Sequence, residues 1–302
     1  MNGKGKMLFA IGLGGWLMSA LGAPLQAQEP NPVSQTTTQN NEITKQENGI
    51  YLYRVKVVQR DLDAVNYFHR SDSTKIAFKG TTLLPAANGE AKVTSERGGI
   101  VIEARFEGLT PANGFGKEYL TYVFWALSKD GRPSNLGEVA PAAAKNGMTV
   151  TTALRSFGLF VTAEPYFSVR QPSDLVVLEN QIPDQRPNGI VEKINMHYML
   201  LPRGVYAVEK GSKVVLSPIG KNDKTPTEFF QANNAVRVAQ AAGAQKYAPE
   251  ILDQAVQSLK KASDIDASKK PDRTVEITFA RLAVERAEDA RVVALRKQAA
   301  EQ

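Results

Sequence analysis

GIVIEARFE, residues 99–107, places Ile100, Ile102, Ala104 and Phe106 at every second position, with Glu103, Arg105 and Glu107 between and after them. A period of two is that of a β-strand with one buried and one wet face. The same alternation runs through Tyr51, Tyr53, Val55 and Val57. Further runs lie at 119–127, 148–154, 157–162, 174–179 and 191–198, and Asp130-Gly131, Asn146-Gly147 and Asn188-Gly189 supply turn signals between them. Some eight or nine short strands over 49–216 predict an antiparallel, Ig-like β-sandwich. Trp125, inside TYVFWA (121–126), is expected to anchor a central strand, because its neighbours are apolar on both sides. The alternative is an exposed sugar-stacking platform formed by Trp125, Tyr119 or Tyr166.

SPIGKNDKTPT, 217–227, changes the composition to Pro, Gly and charge, so 217–226 reads as a linker and 227–302 as an α-helical domain. Thr225-Pro226-Thr227-Glu228 has the form of a capping box with Pro at the first helical position. Phe229, Ala232, Val236 and Ala239 then share a face, and Gly243 offers a terminator. A second helix opens at Pro249 with Leu252, Ala255, Val256, Leu259 and Ala262 on one side. A third starts near Asp272, with Val275, Phe279, Leu282, Ala283 and 290–294 as its expected buried stripe. The prediction is an antiparallel helical hairpin or three-helix bundle, its many alanines allowing close helix approach. The tail from Arg296 to Gln302 is made of strong helix formers with no stop signal, so it reads as a fraying end or as the start of a coiled coil.

The N-terminus bears on location. Lys4 and Lys6 precede an uncharged apolar run at 7–22, and Leu25-Gln26-Ala27 suits cleavage after Ala27, which is the pattern of a secretory signal peptide at 1–27. Residues 28–48, rich in Gln, Asn and Thr, carry too little apolar surface to order themselves and are expected to be a disordered linker. The chain has no cysteine, which removes disulfides, thiolate metal sites, cysteine nucleophiles and a thiol for a lipid anchor. Its formal net charge of +6 is mild and shows no basic block, which argues against nucleic acid and leaves acidic envelope polymers as electrostatic partners.

No catalytic, cofactor-binding or metal-ligating set assembles from the sequence. The two histidines, His69 and His197, lack metal-ligand spacing and read as locally satisfied side chains. Ser258-Leu259-Lys260-Lys261 matches Ser-x-x-Lys but stands without the companion motifs of a penicillin-interacting enzyme. Asp61 and Asp63 lack the rest of a calcium loop. Glu164, Asp174 and Glu179 can serve as paired carboxylates for glycoside cleavage only if the fold brings two of them face to face. Otherwise they are turn and edge charge.

Longer words carry a resemblance. NYFHR (66–70), GTTLLPAANGEAKV (80–93), EYLTYVFWALSKDGRPSNLGEV (118–139) and SFGLFVTAEPYFSVRQPSDLVVLEN (156–180) resemble the N-terminal β domain of acidobacterial-type OmpA-family envelope proteins. AVRVAQAAGAQKYAPEILDQAVQSLKKA, within 228–298, looks like a helical domain of unknown function that recurs in bacterial periplasmic proteins. The resemblance implies that this pair precedes a C-terminal OmpA-like peptidoglycan-binding domain, here not in the sequence. It brings no catalytic residues with it. The resulting expectation is a non-enzymatic exported protein of the periplasm or outer membrane, with a binding, assembly or tethering role. Its expected partners are envelope proteins or cell-wall and glycan polymers, with self-association through the helical domain. The alternative is an envelope-glycan hydrolase or a carbohydrate-binding module on the sandwich.

Overall fold

The computed structural model describes residues 44–45, 51–52, 58–67, 73–139, 146–181, 194–200, 206 and 224–301. The expected signal peptide, His69 and the Asn188-Gly189 turn lie outside them. Strands β1 (Thr44–Lys45) and β2 (Tyr51–Leu52) pair with each other, so part of the segment expected to be a disordered linker is strand. The main sheet holds β3 (Val58–Asn66), β4 (Thr74–Gly80), β5 (Asn88–Glu96), β6 (Gly99–Glu107), β7 (Thr121–Ser128), β8 (Pro133–Val139), β9 (Asn146–Thr152), β10 (Ser156–Glu164), β11 (Val176–Gln181) and β12 (Ile194–Leu200). Helices α1 (Thr227–Ala241), α2 (Ala244–Tyr247), α3 (Pro249–Asp266) and α4 (Arg273–Glu301) follow, and sheet and helices belong to one compact unit.

The strands run β12-β3-β10-β11-β4-β5-β6-β9, with β7 on the other side of β10 and β8 beyond β7, all antiparallel. Strand β10 is the hinge of this order. One edge pairs with β7 along its length, while the other pairs with β3 at Ser156 and Phe157 and with β11 from Phe160 to Thr162. Because β10 joins all these neighbours, the strands form one continuous sheet that curls almost into a barrel. Gly137 of β8 comes back against Met148 of β9, where an added Cβ would lie 3.1 Å from the methionine methyl. The coarse expectation, a mostly antiparallel β region followed by helices, is what the chain forms. Two separate stacked sheets are not distinguished.

Alternation decides the inside of the curl. Ile100, Ile102, Ala104 and Phe106 are all buried, as the period of two requires. Phe106, Phe78 and Phe124 meet edge to face, with centroids 5.2 to 5.9 Å apart. Strands β7 and β10 depart from half-burial, since nearly every residue of both is inaccessible. Their second face carries Trp125 and Phe160, stacked at 6.2 Å and both fully buried. Asp130-Gly131 makes the β7–β8 hairpin, with Gly131 at φ 75 donating its N–H to the Ser128 carbonyl at 2.9 Å. Asn146-Gly147, expected as a turn, is the start of β9, where it pairs with Phe106 and Arg105.

Among the described residues the α-helices number four, with α4 packed against both α1 and α3. The capping box does not form: Pro226 is the N-cap without a side-chain bond, and the Thr225 hydroxyl instead donates to Asp266 at 3.1 Å. Gly243, at φ 79, ends α1 as the sequence predicts. Asp272 caps α4, its carboxylate accepting the N–H groups of Thr274 and Val275 at 3.0 and 3.2 Å. The buried stripe of α4 is Ala280, Ala283, Ala287, Ala290 and Ala294, while Val275 and Leu282 are exposed, as is Val256 on α3. The buried side of α4 also carries Val284, Glu288 and Arg291. At the far end, Glu301 accepts the Tyr247 hydroxyl at 2.6 Å, which holds the last turn of α4. No described helix is long and apolar enough to cross a membrane.

Removing a ring from the aromatic cluster leaves a cavity that the curled sheet cannot collapse. Phe124→Ala is expected to lower unfolding free energy by about 3 to 5 kcal/mol, whereas Val256→Ala on the exposed face of α3 stays within about 0.5 kcal/mol. Equilibrium unfolding in urea checks both.

Candidate functional site

Between β10 and β11 the chain makes a connection, residues 165–175, that lies under the helices. Tyr166 and Val169 are fully buried in it. Helix α4 delivers Glu288 and Arg291 to this connection, one turn apart and nearly inaccessible. Arg291 donates two hydrogen bonds to Glu288, Nε to Oε2 at 2.6 Å and Nη2 to Oε1 at 2.7 Å. The remaining capacity of Glu288 is taken by the Tyr166 hydroxyl at 2.9 Å and the backbone N–H of Arg170 at 3.0 Å. A buried carboxylate thus receives four donors and one full counter-charge, the condition under which burying an ion pair is tolerable. Burial and then Glu288 hold the Tyr166 phenol well above its ordinary range, so Tyr166 stays a neutral donor.

A second carboxylate sits beside this one on different terms. Glu164, at the end of β10, is fully buried, and its Oε1 accepts the Thr162 hydroxyl at 2.6 Å and the Ser173 N–H at 2.7 Å. Its Oε2 meets no hydrogen-bond donor among the described residues, and neither does the buried hydroxyl of Tyr206. Burial, with a smaller push from Glu288, raises Glu164 from 4.5 to about 8, so the carboxyl is protonated at neutral pH. Trp125 closes a relay: its indole N–H donates to Thr162 at 2.7 Å, and Thr162 donates on to Glu164. Tyr206 packs edge-on against Tyr119 and Tyr166, each at 6.4 Å, and its carbonyl accepts Arg237 from α1 at 2.9 Å.

A third acid binds the other end of the layer. Glu138 of β8 accepts Thr121 at 2.8 Å, Gln231 of α1 at 2.7 Å and Arg281 of α4 at 3.0 Å. Arg281 also lies 3.9 Å over the Phe167 ring. Gln231 takes the Phe167 N–H at 2.9 Å.

The sequence candidates fall as follows. Trp125, Tyr119 and Tyr166 are 0 to 2 % exposed, so Trp125 is the core anchor and none of the three is a surface stacking platform. Glu179 stands opposite Phe160, four residues before Glu164 on β10, about 13 Å away at strand rise. With Glu164 sealed inside, this pair does not form the open, facing carboxylates of a glycosidase. Ser258 returns its hydroxyl to the Gln254 carbonyl at 2.9 Å, and Lys261 lies over the Phe279 ring at 5.2 Å, so the Ser-x-x-Lys spacing has a helical explanation. Asp61 and His197 are register partners of β3 and β12. Among the described residues no group of three or more His, Asp or Glu is placed to hold a metal ion.

What opens to solvent is the outer face of β4, β5, β6 and β9. It carries a shallow groove of about 460 Å³ lined by Lys75, Glu90, Lys92, Glu103, Arg105 and Thr149. These come from one alternation: Lys75 faces Lys92, Lys92 faces Glu103, and Glu90 faces Arg105 across the ladders. Lys92 and Glu103 form an exposed ion pair at 3.3 Å. Sequence reading found these strands in part but could not align their charges, because register is set by pairing between strands.

Glu288→Ala leaves Arg291 buried without a counter-charge and is expected to cost about 3 to 5 kcal/mol, while replacing both Glu288 and Arg291 by apolar residues of similar volume costs much less. Thermal and urea unfolding of the single and double variants check this. Comparison with protein-family models, with curated proteins and with solved structures finds no match for the chain.

Proposed function

We propose that this chain is a non-enzymatic, exported cell-envelope protein that binds or assembles envelope components, with the curled sheet acting as a sandwich-type recognition module. In this reading the helices are a bundle-like layer that stiffens one side of the sheet and leaves the other free. The observation that carries it is the groove on β4, β5, β6 and β9, whose lining alternates Lys92 and Arg105 with Glu90 and Glu103. A surface with both signs at fixed register suits a polar partner carrying both signs, a protein or a cell-wall polymer with amino and carboxyl groups. Glu288 and Glu138, by contrast, are committed to the helical layer: Glu288 of α4 accepts from Tyr166 and the Arg170 amide, and Glu138 of β8 accepts from Gln231 of α1 and Arg281 of α4. Export and envelope location rest on the leader pattern at 1–27 and on the resemblance of 65–206 to OmpA-associated β domains.

Reversing the charge of the groove tests the reading. The pair Lys92→Glu and Arg105→Glu is expected to weaken retention on envelope fractions by roughly tenfold or more, with salt mimicking the effect, and to leave unfolding within about 1 kcal/mol because both side chains are exposed. Unchanged retention by the variant, or no retention by the native chain on envelope proteins, glycans or wall material, defeats the proposal.

A further inference from the structure

The groove on β4, β5, β6 and β9 is a trough that crosses the strands, and its two walls are unlike. Its floor is formed by Ala91, Ala104 and Met148, whose side chains belong to the core. One wall is Lys75, Lys92, Glu103 and Thr149, side by side on the four strands, and the other is Glu90, Arg105 and Gly147. On the first wall Lys92 and Glu103 pair with each other at 3.3 Å. On the second, Glu90 and Arg105 are exposed and stand opposite one another in the β5–β6 register, yet among the described residues neither side chain has an ion pair or hydrogen bond. Gly147 supplies the reason. A Cβ there would lie 3.7 Å from Cγ of Arg105, closer than the usual spacing of facing Cβ atoms, so the arginine stem leans over the bare backbone of β9 and away from Glu90. That wall therefore presents an anion and a cation separated by one strand spacing of about 5 Å, widened by the lean of the arginine.

We propose that Glu90 and Arg105 bind an ammonium carboxylate, a ligand group whose positive and negative ends lie about 5 to 7 Å apart, with the carboxylate on Arg105 and the ammonium on Glu90. This rests on the reading of the groove as the recognition surface and narrows it to one pair of side chains and one chemistry. Lys92, on the facing wall, is neutralised by Glu103 and so does not cancel Glu90. Each contact alone is weak, because it is a solvent-exposed ion pair. Two contacts joined through one ligand reinforce each other only when the ligand spans both, so affinity follows the separation of its charges. The trough, about 460 Å³, is larger than such a group and leaves room for the chain that carries it. Gly147 is a positioning residue in this site, since any larger side chain there competes with the Arg105 stem for the same space.

A ladder of ω-amino acids measures the spacing. Full-length protein is titrated with glycine, β-alanine, γ-aminobutyrate and the terminal amino derivatives of pentanoic and hexanoic acid, with pentanoate and pentylamine as controls bearing a single charge. Binding is read from the NMR shifts of the Arg105 side-chain N–H and of the β5, β6 and β9 amides. The expected result is saturable binding on the order of millimolar, tightest for the pentanoic member, at least about fivefold weaker for glycine and for either control, and weakened by salt. Arg105→Gln and Glu90→Gln are each expected to abolish the dependence on length, Gly147→Val to weaken binding by about the same fivefold factor, and Lys79→Gln, on β4 outside the trough, to change nothing. All four positions are exposed, and the native chain with the ladder decides even where a variant fails to fold. No saturable binding, equal affinity along the ladder, controls that bind as tightly as the amino acids, or shifts that persist in both glutamine variants each overturns the site. Retention on envelope fractions that is lost in the Lys92→Glu and Arg105→Glu pair, with no ω-amino acid bound, sinks this inference and leaves the reading of the groove standing.

Discussion

A single buried carboxylate, Glu288, determines how the two halves of this chain meet. It is neutralised by Arg291 from its own helix and saturated by Tyr166 and the Arg170 amide from the connection after β10. Those bonds fix the rotation of α4 about its axis. With Glu288 and Arg291 turned toward the sheet, the alanines at 280, 283, 287, 290 and 294 are buried, and Val275 and Leu282 are exposed. Val284, fully buried, lies on the same side of the helix as these alanines.

The same constraint explains why β7 and β10 read unlike the other strands. A strand buried on both faces has no position left for polar side chains unless they are bonded. Thr121, Ser128, Thr162 and Glu164 are buried polar residues of these strands, and each makes at least one side-chain hydrogen bond. The continuous apolar runs at 119–127 and 157–162 are the sequence signature of that double burial.

Much of the architecture was readable from local pattern. Ile100 through Phe106 declared their inward face, Asp130-Gly131 its hairpin, Gly243 and Asp272 their helix ends, and Trp125 its burial. What escaped was set by partners distant in sequence. Whether strands make two sheets or one curled sheet depends on β10 sharing an edge between β3 and β11, which no local period encodes. Thr225 looked like a cap but found Asp266, 41 residues away. Glu288 and Arg291 pass for an ordinary solvated pair at i and i+3, and only their phase with the alanine stripe hints otherwise. The groove was equally hidden, because strand alternation reveals which charges face outward but not which of them stand side by side.

The bond between Tyr166 and Glu288 spans 122 residues, and that separation imposes an order on assembly. Helices α1, α3 and α4 consist of neighbours along the chain and can be made quickly, whereas the curled sheet needs contacts between remote strands and is slow by topology. Until β10 and its following connection are in place, Glu288 has no phenol or amide to receive it, and the inward side of α4 faces water. The helices, though last in the sequence, therefore wait for the sheet, and their docking is the event that certifies the strands beneath them as correctly paired.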